Sequence, residues 1–330
     1  MQKRPRLIPE VAHARTKLTQ ALGKAGVSAS DRVVLAVSGG SDSLALALAM
    51  SFVGPKLAIE SQVIVVDHDL QEGSGEVALA AVATCKEMGL TDSKVVKVKV
   101  EQNGEGLEAA ARTARYKVLE EARQSSSAKA IILAHTRDDQ AESVMLGLVR
   151  GSGLASIAGM APWDPDRHLL RPFLGLTKAE LRSALTANEL SYWEDPHNQD
   201  PKFKRVAVRQ ALIQLEESLG PGIAQALSQT ADIAREAQDY ISSQSVILLN
   251  QITVSEGQYR LEELESAHAA LRNKTLHLMC QEFGARSLSF DQVEMVAGLV
   301  TNWHGQKPIA LSGITVERVK DLLVLSRQSK

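Results

Sequence analysis

Cysteine is almost missing: Cys85 and Cys280 are the two in 330 residues, far apart and both set in helical patterns. Neither a disulfide framework nor a cysteine-built metal site is expected, and both thiols read as core residues. No apolar run reaches the length of a membrane span, and the opening stretch MQKRPRLIPE lacks the apolar core of a signal peptide. The expectation is a cytoplasmic protein with no membrane partner. Neither sign of charge dominates, since 37 Lys and Arg face 39 Asp and Glu. That excludes a global pull on nucleic acid, so an RNA partner would be held by local basic patches. There is no internal repeat and no low-complexity tract. A hydrophobic content of 44% and a length of 330 residues are those of a globular chain with two or three domains.

The informative stretch is residues 33–43, VVLAVSGGSDS. Val33, Val34, Leu35, Ala36 and Val37 suit a strand buried on both faces, and the Ala/Leu-rich residues 44–52 suit a helix. Between them lie Ser38, Gly39, Gly40, Ser41, Asp42 and Ser43. Two adjacent glycines leave backbone free to wrap an anion, and a helix start presents amide donors and a positive dipole end. A phosphate ligand is expected. The spacing matches neither a Walker P-loop nor a dinucleotide fingerprint. The pattern S-G-G-x-D-S resembles the PP-loop of the ATP-pyrophosphatase superfamily, which implies cleavage of ATP to AMP and pyrophosphate while a substrate oxygen is adenylated.

Downstream, strand patterns at residues 63–68, 95–100 and 131–135 alternate with helical ones at 76–88, 107–123 and 140–149. The fold class expected is α/β, a doubly wound, mostly parallel sheet. Ligands of such sheets sit at the carboxyl ends of the strands, so Asp42, Asp67, His68, His135 and Asp139 should share one rim. A basic head (Lys3, Arg4, Arg6) precedes a first helix that buries Val11, Leu18 and Leu22 and exposes Arg15 and Lys17. Glycines and prolines interleaved with Leu154, Ile157 and Met160 between residues 150 and 172 imply a shaped active-site loop. Capping boxes at Thr177/Glu180 and Ser289/Gln292 mark two helix starts. Gly220-Pro221-Gly222 breaks the pattern. The expected domains are a catalytic one over 1–215, a linking helix over 216–250 and a small α+β domain over 251–330, with helices at 264–283 and 290–300 and strands turning at Ser312-Gly313.

His135, Asp139 and Glu142 are spaced by four and three, which on a helix would line one stripe with an imidazole and two carboxylates. The stripe could ligate a divalent metal or hold an ammonium group. Alternatively Thr136 is an N-cap and Asp138 and Asp139 are first-turn acids complementing the helix dipole.

Six segments in order resemble the tRNA(Ile)-lysidine synthetase family. They are VDHDL at 66–70, EAAARTARY at 108–116, HTRDDQAES at 135–143, RGSG at 150–153 leading to Gly159-Met160, RPFL at 171–174, and EDPHNQD at 194–200 followed by Phe203, Arg205 and Arg209. The resemblance covers residues 33–209. It implies that the C2 oxygen of the wobble cytidine in the CAU anticodon of tRNA(Ile) is adenylated and that L-lysine then displaces AMP, giving lysidine. It also implies that residues 38–43 hold ATP with Asp42 near Mg²⁺, and that Asp139 and Glu142 hold the lysine. Arg112 or Arg115 would meet the lysine carboxylate or a phosphate, each being as readily a surface ion pair. His135 would polarise the reacting oxygen or sit as a satisfied rim histidine. Lys202, Lys204, Arg205 and Arg209 would touch RNA phosphate. Oligomeric state is left open, with a homodimer compatible. Asp69, His197 and Val206 depart from the family's Gly, Ser and Asn. A related tRNA thiolase would call for paired cysteines, and a nucleotide sensor would need no acidic stripe.

Overall fold

The computed structural model describes residues 8–70, 73–100, 106–151, 153–194 and 204–328. Lys3, Arg4, Arg6, Ser152, residues 195–200, Lys202, Phe203 and the side chain of Glu108 lie outside the described residues. The chain divides into two compact units, Met1–Asp232 and Ile233–Lys330.

The first unit is built on a sheet whose central strand, β1 (Arg32–Val37), is flanked by β2 (Glu60–Asp67) and a three-residue β4 (Ala130–Ile132). Beyond β2 lies β3 (Ser93–Lys97), and beyond β4 the short β6 (Leu169–Leu170) and β5 (Trp163–Asp164). All neighbours run parallel except the β5/β6 pair. The apolar run at 33–37 serves both faces, as side chains alternating with period two must. Val33, Leu35 and Val37 join one core with α1 (Pro9–Lys24) and α2 (Ser41–Leu57), while Val34 and Ala36 join the other with Leu119 of α4 (Leu107–Ser125). Val11, Leu18 and Leu22 of α1 are buried as expected. Arg15 is not simply exposed, because its guanidinium lies over the Phe52 ring at 3.3 Å.

Several element boundaries differ from expectation. The helix expected over 44–52 begins at Ser41 and runs through Pro55 to Leu57, with Ala58 closing it at φ 53°. Pro55 has no N–H to donate to the Ser51 carbonyl, and the helix ends two residues beyond it. The loop between residues 150 and 172 contains a short helix, α6 (Leu154–Ile157), and the strands β5 and β6 that extend the sheet. It is therefore part of the sheet's edge. Cys85, on α3 (Ser74–Glu87), is fully buried in the α1/α2 core.

The second unit holds an antiparallel sheet in the order β7 (Thr253–Ser255), β8 (Gln258–Arg260), β11 (Leu322–Arg327), β10 (Ile314–Val319), β9 (Ile309–Ala310). Ile314, Val316, Leu323 and Leu325 pack on α11 (Ala269–Phe283) and α12 (Phe290–Thr301), with Cys280 buried among them. The division between units falls inside α9 (Ile223–Ile252), whose last turns give Leu248, Leu249 and Ile252 to this second core. The helix expected over 264–283 is two pieces, α10 (Glu262–Ser266) and α11. His268 breaks it by capping α11, its Nδ1 accepting the Ala270 N–H at 3.2 Å. The turn at Ser312-Gly313 is present, with Gly313 at φ 97°. Among the described residues no helix is long and apolar enough to cross a membrane.

Candidate active site

The carboxyl ends of β1 and β4 open onto a cavity of about 810 Å³ in the first unit. Its floor is the turn between β1 and α2. Gly39 takes φ 84°, with Ala81 and Val77 of α3 at van der Waals distance from where a Cβ would stand. A side chain there would be strained and crowded, which accounts for the glycine. Gly40 is the N-cap of α2, so the first amides of that helix, which have no intrahelical acceptors, face the cavity mouth. The serine hydroxyls mostly shape the loop. Ser43 Oγ donates to the Gly40 carbonyl at 2.9 Å and accepts the Ser38 N–H at 3.1 Å. The expected anion cradle thus relies on backbone amides more than on three free hydroxyls. Trp193 closes one side, its N–H donating to the Gly39 carbonyl at 3.0 Å.

Asp42, on the first turn of α2, lines this cavity, and among the described residues the Ser41 hydroxyl donates to it, at 3.2 Å. Desolvation pushes its carboxyl up to about 6, with Lys178 opposing. Asp67 and His68 do not line the cavity. Asp67 instead accepts the Asp69 N–H at 3.0 Å and the Ser74 hydroxyl at 2.7 Å, fixing the entry to α3.

The second wall is α5 (Arg137–Arg150), and here the expected stripe is corrected. The helix starts after His135, and Thr136 is its N-cap in a capping box with Asp139, so His135 is on the preceding loop. Asp139 Oδ2 accepts both the Thr136 N–H and hydroxyl, at 2.8 and 2.9 Å. Its other oxygen meets Lys178 Nζ at 2.9 Å. Glu142, 2% exposed at its side chain, accepts Arg209 Nε at 2.7 Å and lies 3.9 Å from Lys178 Nζ. Its Oε2 is buried without a hydrogen-bond partner. Burial resists ionisation of Asp139, but Lys178 and the Thr136 amide outweigh it and hold the carboxyl below its usual range. No group of three or more His, Cys, Asp and Glu side chains among the described residues could hold a metal ion. What the structure shows of the stripe is the N-cap at Thr136 and the pairing of the two carboxylates with cationic side chains.

His135 lines the cavity, and burial, with Arg171, Arg115 and Arg112 nearby, drives its imidazole down to about 3 against the pull of Asp139. It is neutral at physiological pH, and its Nδ1 is buried and unpartnered. Of the two arginines on α4, Arg115 lines the cavity. Arg112 is exposed outside the lining, donating to the Tyr116 hydroxyl at 3.3 Å. Arg205 lines the cavity, Lys204 is exposed, and Arg209, expected on RNA phosphate, is turned inward onto Glu142. Val206 is buried in the lining.

Lys178 and Arg182 were not foreseen. They lie four apart on α7 (Lys178–Thr186), which opens with the expected Thr177/Glu180 capping box, so both face the cavity. The basic spacing was visible, but the register of α7 against α5, fixed by the Lys178 N–H on Asp138 Oδ2 at 2.9 Å, was not. The glycine-rich segment is held by Gln140, which accepts the Met160 N–H at 2.8 Å and donates to the Met160 carbonyl at 3.1 Å. A Cβ on Gly159 would stand 2.7 Å from that amide.

Comparison with known proteins adds to this geometry. Residues 11–216 match the family model described as PP-loop domain, and residues 260–324 the one described as TilS substrate binding domain. The chain is 44% identical over 297 residues to a tRNA(Ile)-lysidine synthase of Leifsonia xyli, covering 88% of each. It is 39% identical over 312 residues to one of Salinispora arenicola, covering 93% of each. Among solved structures, the U34-tRNA thiolase NcsA of Methanococcus maripaludis with its [4Fe-4S] cluster is similar in fold, with a TM-score of 0.59 at 18% identity over 69% of this chain and 80% of that one.

Proposed function

The chain belongs to the tRNA(Ile)-lysidine synthase family, an ATP-using ligase family, and on that footing we propose how its cavity makes lysidine on tRNA(Ile). The substrates are ATP, L-lysine and the CAU-anticodon tRNA. The C2 oxygen of the wobble cytidine attacks the α-phosphorus of ATP and pyrophosphate leaves. The ε-amine of lysine then forms a bond to C2, the C2–O bond breaks, the oxygen departs with AMP and the amine proton is released. Reading of the codon shifts from AUG to AUA.

One observation carries this reading: the phosphate-type turn at 38–43 and the acid pair Asp139/Glu142 open onto a single cavity. The amides at the start of α2 bind phosphate oxygens. Asp42 is a half-buried carboxylate with no cationic hydrogen-bond partner among the described residues, which suits a hard divalent cation whose other ligands are phosphate oxygens and water. When bound, Mg²⁺ would neutralise charge gathering on the phosphates. Asp139 and Glu142 hold an ammonium of lysine, the buried Glu142 Oε2 being a spare acceptor. Arg115 lines the cavity, where it can meet a phosphate or the lysine carboxylate, and neutral His135 can donate one N–H to polarise the reacting oxygen. Arg205 and Lys204 serve RNA phosphate.

The test mixes the protein with Mg-ATP, labelled lysine and a CAU transcript, beside a control transcript whose wobble cytidine is uridine. Label in the CAU transcript alone, with AMP released, is the expected result. Pyrophosphate release without label would sink lysine as the nucleophile.

A further inference from the structure

The acid pair assigned to substrate lysine already holds a lysine of the chain itself. Lys178 Nζ is 2.9 Å from Asp139 Oδ1 and 3.9 Å from Glu142 Oε1, the place an incoming ammonium would take. Building on the function above, we propose that the Lys178 side chain is a built-in competitor for the amino-acid subsite, which substrate lysine must displace from Asp139 and Glu142.

The acids are fixed and the ammonium is not. Asp139 is locked by two donors from Thr136, and Glu142 by Arg209. The backbone of Lys178 is pinned too, through its N–H on Asp138 and the capping box just before it. Only its four-carbon stem, 24% exposed, is left to turn. Rotating it away breaks the ion pair and leaves the helix start intact. Substrate brings an equivalent ammonium, so an ion pair is exchanged for an ion pair and Asp139 is not left without a cation, while Glu142 keeps Arg209 throughout.

A second, independent observation points the same way. Glu142 Oε2 is buried and accepts no hydrogen bond while Lys178 is in place. A brace evolved only to satisfy the two acids would reach both of Glu142's oxygens, since an orphaned buried acceptor is costly. Lys178 reaches neither within hydrogen-bond distance, the nearer gap being 3.9 Å. A free lysine, not tethered through its own backbone, can approach closely enough to donate to it.

An occupant that fills the subsite in most molecules reduces apparent affinity by the fraction of molecules left open. Lys178→Met keeps the stem and removes the charge. It is expected to lower the KM for lysine by about tenfold, an open fraction near one in ten being assumed. Lys178→Arg retains a cation on the acids and should leave the KM at or above that of the unaltered protein. A KM for lysine that is unchanged or raised in Lys178→Met would make Lys178 a brace and overturn the proposal. Should Lys178→Met fail to melt cooperatively, Lys178→Arg carries the test, and a fall in its KM is the overturning result. Lysine incorporation by the unaltered protein is measured in the same series, so absence of incorporation there condemns the function and not the competitor.

Discussion

Burying a carboxylate at the mouth of a helix without a counter-ion makes folding work against ionisation, and Asp42 is in that position. Its pKa of about 6 exceeds the ordinary 3.8, so the folded state holds the proton more tightly and stability falls as pH rises from about 4 to about 6. Asp42→Asn has no such titration. In the absence of Mg²⁺ and ATP it should be more stable than the unaltered protein by about 1–3 kcal/mol above pH 7, with the gap closing toward pH 4. Thermal melts at the two pH values measure this, and equal melting temperatures at pH 7 would refute it. The same residue separates the two half-reactions. Asp42→Ala should abolish pyrophosphate release, whereas Asp139→Ala should spare release and block lysine transfer. Loss of pyrophosphate release in both would sink that division. Asp69, by contrast, departs from the family's glycine at little cost. It sits at φ 53°, where Asp is tolerated better than most side chains, and pairs with Lys97 at 2.9 Å.

Among the elements, α5 does most to shape the site, and its fit to α6 leaves no room for a side chain. A Cβ on Gly147 would stand 2.3 Å from the Ser156 carbonyl oxygen, a backbone atom that cannot rotate aside. Gly147→Ala should therefore push α6 off α5 and cost about 1–3 kcal/mol, an overpacking cost. Chemical denaturation would read it, and a loss under 0.5 kcal/mol, about the scatter of a surface change, would show that α6 yields freely. How far these elements were legible depends on where their information lies. The capping boxes at Thr177/Glu180 and Ser289/Gln292 were readable because each is complete within four residues and local geometry decides it. The break at His268 was missed because an apolar helical pattern runs across it and the cap is a histidine nitrogen, a rare acceptor for that task. Strand β6 was missed because two residues carry no periodicity, and only its pairing with β4 makes it a strand. Within the site, residues 38–43 could be read from one contiguous segment. The Lys178–Asp139 pair could not, since it depends on how α7 docks on α5 from some 40 residues away.

Taken whole, the protein is two cores on one chain, and the doubly wound pattern of the first was visible because its strands and helices alternate in sequence. The second was less so, since its sheet joins strands on both sides of α10–α12. The scarcity of cysteine has a practical outcome here. Cys85 lies in the first core and Cys280 in the second, each at most 1% exposed, with burial pushing the thiols up to about 11 and about 12. Each unit thus carries one native reporter of its own opening, and no label need be engineered. A thiol-reactive probe under native conditions should modify neither residue at the rate of a free thiol, and each should react only as its unit unfolds. Two separate labelling rates, assigned to the two peptides by mass spectrometry, would mean that the units open independently. One shared rate would mean that they unfold as a single cooperative body.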